Sequence, residues 1–264
     1  MDIENTEQPK ELVVPKNKPG IRALLQFREK QQDLRIGFES RVRAIRQHYD
    51  TDCSDVLGQK GLDLLEHFFQ QSLFLEKQID QQLADLVFNE PIVKMMCALR
   101  GIGPILSAKI YTYVDIERAV SVSSLWQVFG AAPGKDRPVE GEIIQYSKAM
   151  KALRFNIAEC LIKANNPYYK PLYEKQKEIE LARTDENKPK TKLHAHRRAC
   201  RYMVKYFLAH LWLTWRELEG LPTRTIYILG HDGHSHQYNP NEFGWPESVP
   251  DTKPVKRRKK AISQ

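Results

Sequence analysis

The sequence lacks paired cysteines and long apolar runs. Its four cysteines, Cys53, Cys97, Cys160 and Cys200, lie far apart and form no CxxC pair. This spacing excludes a disulfide framework and a zinc module, and it is typical of reduced, buried thiols in the cytoplasm. The longest hydrophobic stretches carry Lys, Arg or His within a turn or two, so the sequence predicts no membrane span. Residues 1–8 are acidic and polar, unlike a secretion signal.

Acidic residues are scarce in the middle of the chain. The formal net charge is +8, and residues 91–216 contain 22 Lys and Arg against 11 Asp and Glu, a local balance of +11. This basic middle predicts a polyanionic partner, with nucleic acid ahead of an acidic membrane surface. We therefore expect nucleic acid and no membrane. The alternative is that many of these cations only solvate helix faces.

Helical periodicity dominates the chain, and proline and glycine separate the helical segments. The sequence predicts an all-α fold with at most a short strand at 142–146. We expect a flexible leader (1–20), a helical coiled-coil-like segment (21–90) and a helix-hairpin-helix domain (91–182). A polar loop with a basic amphipathic helix (183–222) and a His-rich loop with a basic disordered tail (223–264) complete the chain.

The second predicted helix, from about residue 54 to 88, carries a seam with alternating steps of three and four residues. The seam positions are Leu65, Phe68, Ser72, Leu75, Ile79, Gln82 and Leu86. Such spacing is typical of a coiled coil or an antiparallel helix pair. Packing inside one chain and a dimer interface are equally compatible with this pattern.

The motif Leu99-Arg100-Gly101-Ile102-Gly103-Pro104 lies between two helical patterns. Its form, hydrophobic–Gly–hydrophobic–Gly, predicts a helix-hairpin-helix turn with Ile102 plugged into the core. The two glycines would let backbone amides approach a phosphate at the amino end of the next helix. Arg100 and Lys109 add positive charge beside the turn, and Ala108 allows close packing of the second helix. The alternative is an ordinary tight turn between two helices.

Further motifs follow the hairpin in order: an aromatic–Gly–x–x–Pro element ending at Pro133, a loop with Gly141, Ser147-Lys148, and Leu153-Arg154. In this order the motifs resemble the carboxy-terminal domain of the IS-one-ten family of insertion-sequence transposases, over roughly residues 65–173. The helical seam is also similar to the coiled coil that precedes the hairpin in that family. The resemblance implies DNA binding, and Lys148 and Arg154 join the predicted DNA-contacting residues.

The resemblance also implies catalytic equipment that this sequence lacks. Family members carry an amino-terminal RuvC-like domain with four metal-binding carboxylates, and a catalytic serine in a Ser-Gly pair after the Gly-x-x-Pro motif. Here only about 90 residues precede the hairpin and they predict helices. Glu140-Gly141 stands where the Ser-Gly pair is expected. The nearest serine, Ser147, is the one candidate nucleophile, although the spacing places no base beside it. No cofactor is expected.

The last strong helical pattern, residues 193–218, has two distinct faces. The predicted apolar face comprises Cys200, Met203, Val204, Phe207, Leu208, Leu211, Trp215 and Leu218. A basic stripe of His194, Arg197, Arg198, Arg201 and Lys205 covers its first three turns. We expect the four Arg and Lys side chains of this stripe to contact a phosphate backbone. A solvated helix face is the alternative.

Histidines cluster near the carboxyl end, where His231, His234 and His236 stand within six residues. Such clusters can bind zinc or nickel, but this spacing fits no standard finger. We name these three as the metal candidates and expect no bound metal.

Together these patterns predict a cytoplasmic DNA-binding protein of a mobile element that resembles the carboxy-terminal half of a transposase. Structured RNA, a second copy and a full-length transposase are further candidate partners. One alternative is an active transposase or nuclease whose carboxylates, Asp115, Glu117 and Glu159, meet only in three dimensions. The other is a non-catalytic helical scaffold with an acidic protein partner. Metal-dependent cleavage would select the enzyme, and binding lost uniformly with salt would select the DNA-binding protein.

Overall fold

The computed structural model describes residues 18–48, 56–132, 144, 146–185, 191–223 and 239–251. These residues form eight α-helices and one 3-10 helix and contain no β-strand, so the predicted all-α fold is confirmed. The helices are α1 (Pro19–His48), α2 (Val56–Val87), α3 (Pro91–Ala98), α4 (Pro104–Tyr113), α5 (Val122–Val128), α6 (Lys148–Lys163), α7 (Tyr169–Ala182) and α8 (Lys192–Leu218), with the 3-10 helix at Pro240–Phe243. No helix among the described residues has the length and apolarity to span a bilayer.

The chain divides into two compact units between Val87 and Phe88. The smaller unit, Lys16–Val87, contains α1 and α2, and the larger unit contains α3 to α8 and the 3-10 helix. The sequence placed the end of the helical segment at residue 90, three residues further along the chain.

The smaller unit is an antiparallel helix pair joined by ion pairs along its length. Arg28 contacts both Glu76 and Asp80, each at 2.8 Å, and Arg35 contacts the other oxygen of Glu76 at 2.6 Å. Glu76 is nearly inaccessible, so its charge would be costly without these two guanidinium groups. The shared carboxylate fixes the register of α1 against α2.

The predicted seam on α2 is only partly right. The buried positions are Ser72, Glu76, Ile79, Leu83 and Val87, so Ser72 and Ile79 are confirmed. The expectation of Gln82 and Leu86 is wrong by one residue in each case, and Phe68 is also exposed. Because Arg28 and Arg35 draw Glu76 inward, α2 is rotated relative to the purely apolar pattern. Phe68 lies on the flank, where its ring stacks on Phe38 at 6.0 Å between centroids.

Helix α8 is the central helix of the larger unit. Helices α3, α5, α6 and α7 and the 3-10 helix all pack against it. The predicted apolar face of α8 is buried except for Leu218. From residue 207 the burial extends round the helix and includes His210, Trp212 and Arg216. The sequence analysis predicted that α8 belongs to a segment separate from residues 91–182. In the structure both lie in the same unit, and the second half of α8 forms its core.

The buried side chains of Trp212 and Arg216 on α8 are paired with backbone carbonyls from elsewhere in the unit. Arg216 donates to the Ile116 carbonyl at 2.8 Å and to the Pro222 carbonyl at 2.9 Å. The Trp212 indole donates to the Ala119 carbonyl. These bonds hold the loop between α4 and α5 against α8, because an unpaired group at these positions would cost about 1–3 kcal/mol.

The segment 239–251 docks on α7 and α8 through Trp245. The Trp245 indole donates to the Tyr169 hydroxyl at 2.8 Å, and the Tyr169 hydroxyl lies 2.7 Å from Nδ1 of His210. An indole N–H can only donate, so the Tyr169 hydroxyl accepts from it and has its own hydrogen available for Nδ1 of His210. Burial lowers the pKa of His210 to about 3, and this imidazole is therefore neutral across the physiological range.

Candidate nucleic-acid interface

The predicted helical hairpin is present. Helix α3 begins with Pro91 at its first turn and ends at Ala98, and α4 begins at Pro104. Leu99 and Ile102 are both buried, and the Ile102 amide donates to the Leu99 carbonyl at 3.1 Å. Ala108 is fully buried, as expected for close packing of the second helix. The burial of Ile102 and the turn between the two helices are thus confirmed.

Gly101 has a different environment from the one that the motif predicts. Its φ is +101°, and a Cβ built there would lie 2.8 Å from the Cys160 carbonyl oxygen and 2.9 Å from the Ala164 Cβ. The side of Gly101 on which a Cβ would lie therefore packs against the last turns of α6. The turn and this packing are sufficient to require a glycine at this position.

Asn166 connects the hairpin to the start of α7 through hydrogen bonds. The hairpin motif in the sequence does not predict this role. Its amide nitrogen donates to the Arg100 carbonyl at 2.7 Å, and its side-chain oxygen accepts from the Tyr168 and Tyr169 amides at 3.0 Å. The side chain is almost fully buried. In the sequence, Asn166-Pro167 indicates a nearby helix start, and α7 begins two residues after Pro167, but this dipeptide gives no indication of the contact with Arg100.

Gly103 and the amino end of α4 form the accessible part of the turn. No atom lies within 4 Å of a Cβ built on Gly103, and no side chain caps α4. The amides of Gly103, Ile105 and Leu106 stand in the first turn, where a helix provides no carbonyl acceptor of its own. Gly103, Ile105 and Leu106 are each partly exposed, so solvent reaches this part of the turn. Such an end attracts anions through its amides and its dipole.

The predicted cations of the hairpin domain lie at two separate places. Arg100 is exposed in the turn, and Lys109 is half-buried on α4. Lys148 is exposed at the first position of α6, whereas Gly101 contacts the last turns of that helix. The 16 residues of α6 separate these ends by about 22 Å, so one phosphate cannot reach both.

Arg154 is not part of any surface, and its assignment to DNA contact is corrected. The residue is 4% exposed, its guanidinium donates to the Gly130 carbonyl, and it lies 4.9 Å from the centroid of the Phe155 ring. It occupies an inward position of α6 beside Leu153 and Ile157. The helical period places it there because α6 packs on α8 through this side.

The basic stripe on α8 is divided by its contacts. Arg197 is exposed and Arg201 is half-buried. Arg198 pairs with the buried Glu180 of α7 at 2.9 Å, so its charge is already compensated inside the unit. Lys205 lies over the Trp126 ring at 4.7 Å, and burial, followed by the Arg201 charge, lowers the pKa of its ammonium. Arg197 is the exposed arginine of the stripe and is therefore the best placed for an external anion.

Ser147 occupies a capping position. Its hydroxyl oxygen accepts from the Met150 amide at 3.4 Å, which makes it the N-cap of α6. Its own amide donates to the Val128 carbonyl at 3.1 Å. These bonds account for a serine at this position through helix capping, worth about 1 kcal/mol, with no activating base required.

The three carboxylates of the enzyme alternative do not form a metal site. Asp115 pairs with Arg118 at 3.7 Å, Glu159 pairs with Lys163 at 2.9 Å, and Glu117 is exposed. In the part of the chain that the structure describes, no three His, Cys, Asp or Glu side chains are arranged to hold a metal ion. His231, His234 and His236, like Cys53, lie outside the described residues.

The three described cysteines are free thiols. Burial raises the pKa of Cys97 and of Cys160, and it raises the pKa of Cys200 to about 12. A thiol reacts through its thiolate, so none of these side chains is activated for nucleophilic chemistry.

These observations define an all-α protein whose larger unit presents a helical hairpin with an open, uncapped second helix. In comparisons with known proteins, no family model, no curated protein and no solved structure matches the chain.

Proposed function

We propose that this chain is a DNA-binding protein of a mobile element that grips the phosphate backbone through the α3–α4 hairpin. As part of this proposal, residues 65–173 resemble the carboxy-terminal half of a transposase. The protein acts in the cytoplasm. DNA is the proposed partner. Structured RNA is the competing nucleic acid, and a full-length transposase is the candidate protein partner.

The observation that carries the proposal is the amino end of α4. Its amides are uncapped, Gly103 has open space above it, and the exposed Arg100 lies beside it. The turn is rigid because Gly101 packs on α6 and Asn166 holds the Arg100 carbonyl. A preformed anion site loses little entropy on binding, and it reads the backbone without reading the base sequence.

Gly103→Val is the substitution that tests this site. The residue has φ −98° and ψ 174°, values that a β-branched residue before proline adopts without strain, so the fold should persist. The added side chain would keep a phosphate away from the amides and remove at least one charge-assisted hydrogen bond. We expect about 1.5 kcal/mol weaker binding, roughly tenfold, to a short DNA duplex measured by fluorescence anisotropy.

The matched control is Gly61→Val on α2, where a Cβ also meets nothing within 4 Å. Its affinity should equal that of the wild type. A folded Gly103→Val protein with unchanged affinity would exclude the hairpin as the contact. Parallel titrations with single-stranded DNA and structured RNA determine which nucleic acid the site prefers.

Replacing Arg197 and Arg201 with Gln tests the basic stripe. If each cation neutralises one phosphate, the slope of log affinity against log salt should flatten by up to about 1.8, because each contact contributes about 0.9. All duplex sequences should weaken alike. Lys205 stays unchanged in this variant because its ammonium packs on Trp126.

The control for the stripe is Lys30→Gln with Lys60→Gln, which removes two exposed charges from the smaller unit. This variant has the same net charge as the test protein and should keep the wild-type slope. An equal flattening in both variants would mean that overall charge, and not the stripe, determines the salt dependence.

A further inference from the structure

The segment 239–251 is folded into a turn that presents Trp245 to the larger unit. Its Gly244 and Trp245 amides donate to the Asn241 and Pro240 carbonyls at 3.1 and 3.2 Å. Gly244 has a φ of +79°, a conformation that glycine adopts without strain. Trp245 is 2% exposed, and burial of so large a side chain anchors the segment on α7 and α8.

The docked segment contacts two neighbouring residues at the start of α7. The Trp245 indole donates to the Tyr169 hydroxyl at 2.8 Å. Gly244 lies against the Tyr168 ring, where a Cβ built on the glycine would be 2.5 Å from Cε2. The amides of both tyrosines donate to the side-chain oxygen of Asn166 at 3.0 Å. The two contacts of the segment therefore converge on Asn166.

Asn166 joins the start of α7 to the turn of the hairpin. Its side-chain oxygen accepts from α7, and its side-chain nitrogen donates to the Arg100 carbonyl at 2.7 Å. Arg100 is three residues before Gly103 in the same turn. Because the oxygen and the nitrogen belong to one planar amide group, a displacement of the first turn of α7 also displaces the group that holds the Arg100 carbonyl.

We propose that docking of the segment 239–251 holds the hairpin turn in its binding geometry, so that release of Trp245 weakens phosphate binding at Gly103. The effect on nucleic acid rests on the proposed function, whereas the coupling of segment and turn rests on the contacts above. Trp245 and Asn166 are positioning residues, since both are buried and act through the Arg100 carbonyl. By linkage, an anion bound at the turn also favours the docked segment.

Amide hydrogen exchange of the free full chain tests the coupling without nucleic acid. The Ile102 amide reports on the turn, where it donates to the Leu99 carbonyl at 3.1 Å. The Phe129 amide, which donates to the Leu125 carbonyl at 2.9 Å, reports on the end of α5. Trp245→Ala should accelerate exchange at Ile102 by about tenfold and leave the rate at Phe129 unchanged.

The matched control is Trp126→Ala on α5. Trp126 is 7% exposed, and its indole donates to the Lys205 carbonyl at 3.1 Å, so the variant also removes a buried indole with one hydrogen bond. The bond lies on a different side of the unit from the hairpin contacts of Asn166. This control should accelerate exchange at Phe129 and leave Ile102 at the wild-type rate.

Gly244→Ala perturbs the same coupling while keeping the indole. Its methyl group would meet the Tyr168 ring, so exchange at Ile102 should accelerate as it does in Trp245→Ala. Unchanged exchange at Ile102 in both variants would overturn the proposal. Equal acceleration at Ile102 and Phe129 would overturn it as well, because it would show a general loss of stability.

Affinity for a short DNA duplex tests the consequence for the proposed site. Trp245→Ala should weaken binding about fivefold in the wild-type background. In the Gly103→Val background, where the amides are already blocked, it should weaken binding by less than about twofold. An equal loss in both backgrounds would contradict the positioning role. A wild type that binds no duplex would refute the proposed function, whereas exchange at Ile102 would still decide whether the segment holds the turn.

Discussion

Gly101→Ala should be the most damaging single-methyl substitution in the hairpin. A residue other than glycine at positive φ costs about 1–3 kcal/mol, and overpacking a filled site costs about 1–3 kcal/mol more. At Gly101 both penalties apply, because φ is +101° and the new Cβ meets a backbone oxygen and a side chain at less than 3 Å. The free energy of unfolding, measured by urea titration, should fall by about 2–6 kcal/mol.

Two other glycines separate these penalties. Gly220 has φ +63° with nothing near its Cβ, so Gly220→Ala carries only the backbone strain. Gly103 has neither problem, and Gly103→Ala should change stability by less than about 1 kcal/mol. The expected order of destabilisation is therefore Gly101, then Gly220, then Gly103. Equal midpoints for all three variants would show that the turn does not pack on α6 as described.

Gly101 and Gly103 differ in what a substitution would report about the proposed DNA site. A Gly101 variant that binds DNA poorly would report on folding, because the residue faces Cys160 and Ala164. Gly103 offers a change at the proposed phosphate site that leaves the helix packing intact. The two glycines of the motif thus serve different purposes, one in the turn and one at the proposed interface.

Acid should destabilise the larger unit through His210. In the unfolded chain this imidazole titrates near its ordinary pKa of 6.5, whereas burial holds the folded pKa at about 3. Above pH 6.5 both states are neutral and the residue costs nothing. Below pH 6.5 the unfolded state binds the proton first, so stability falls by about 1.4 kcal/mol per pH unit until about pH 3. Between pH 6.5 and pH 4 the loss is about 3 kcal/mol.

His210→Gln should remove this part of the pH dependence. Glutamine keeps an acceptor for the Tyr169 hydroxyl but does not titrate, so its stability should fall less steeply between pH 6.5 and 4. The measurement is urea unfolding at several pH values, monitored by tryptophan fluorescence. This signal also reports on the docked Trp245. His67→Gln, at an exposed histidine on α2, is the control and should keep the wild-type slope. Identical slopes for wild type and His210→Gln would contradict the buried, neutral state.

Much of the local structure could be predicted because it depends on neighbours within four residues. The helical periods predicted the all-α fold, and Pro91 and Pro104 each stand at the start of a helix. The apolar face of α8 was correct except at its last residue, Leu218. The hydrophobic–Gly–hydrophobic–Gly pattern predicted both the turn and the burial of Ile102. Residues 133–143, where the resemblance expects its catalytic serine, lie outside the described part of the chain.

The candidate site was predicted less well, because charge alone does not reveal which cations have a partner elsewhere in the chain. Arg154 and Arg198 belong to basic motifs in the sequence, yet one lies in the core and the other pairs with a buried glutamate 18 residues away. The buried positions of α2 differ from the predicted seam for the same reason. Glu76 has the sequence pattern of a surface residue, but it is buried because it pairs with Arg28 and Arg35 of α1.

The positions of the helices and of the hairpin turn thus follow from the local sequence, because they depend on backbone preferences and on side chains one turn apart. Long-range packing, in contrast, places Gly101 against α6, joins Asn166 to the turn and leaves Gly103 open. These outcomes depend on contacts between residues that are tens of positions apart in the chain. Such contacts are set by how helices pack and by which buried charges find partners, and neither has a signature in local spacing.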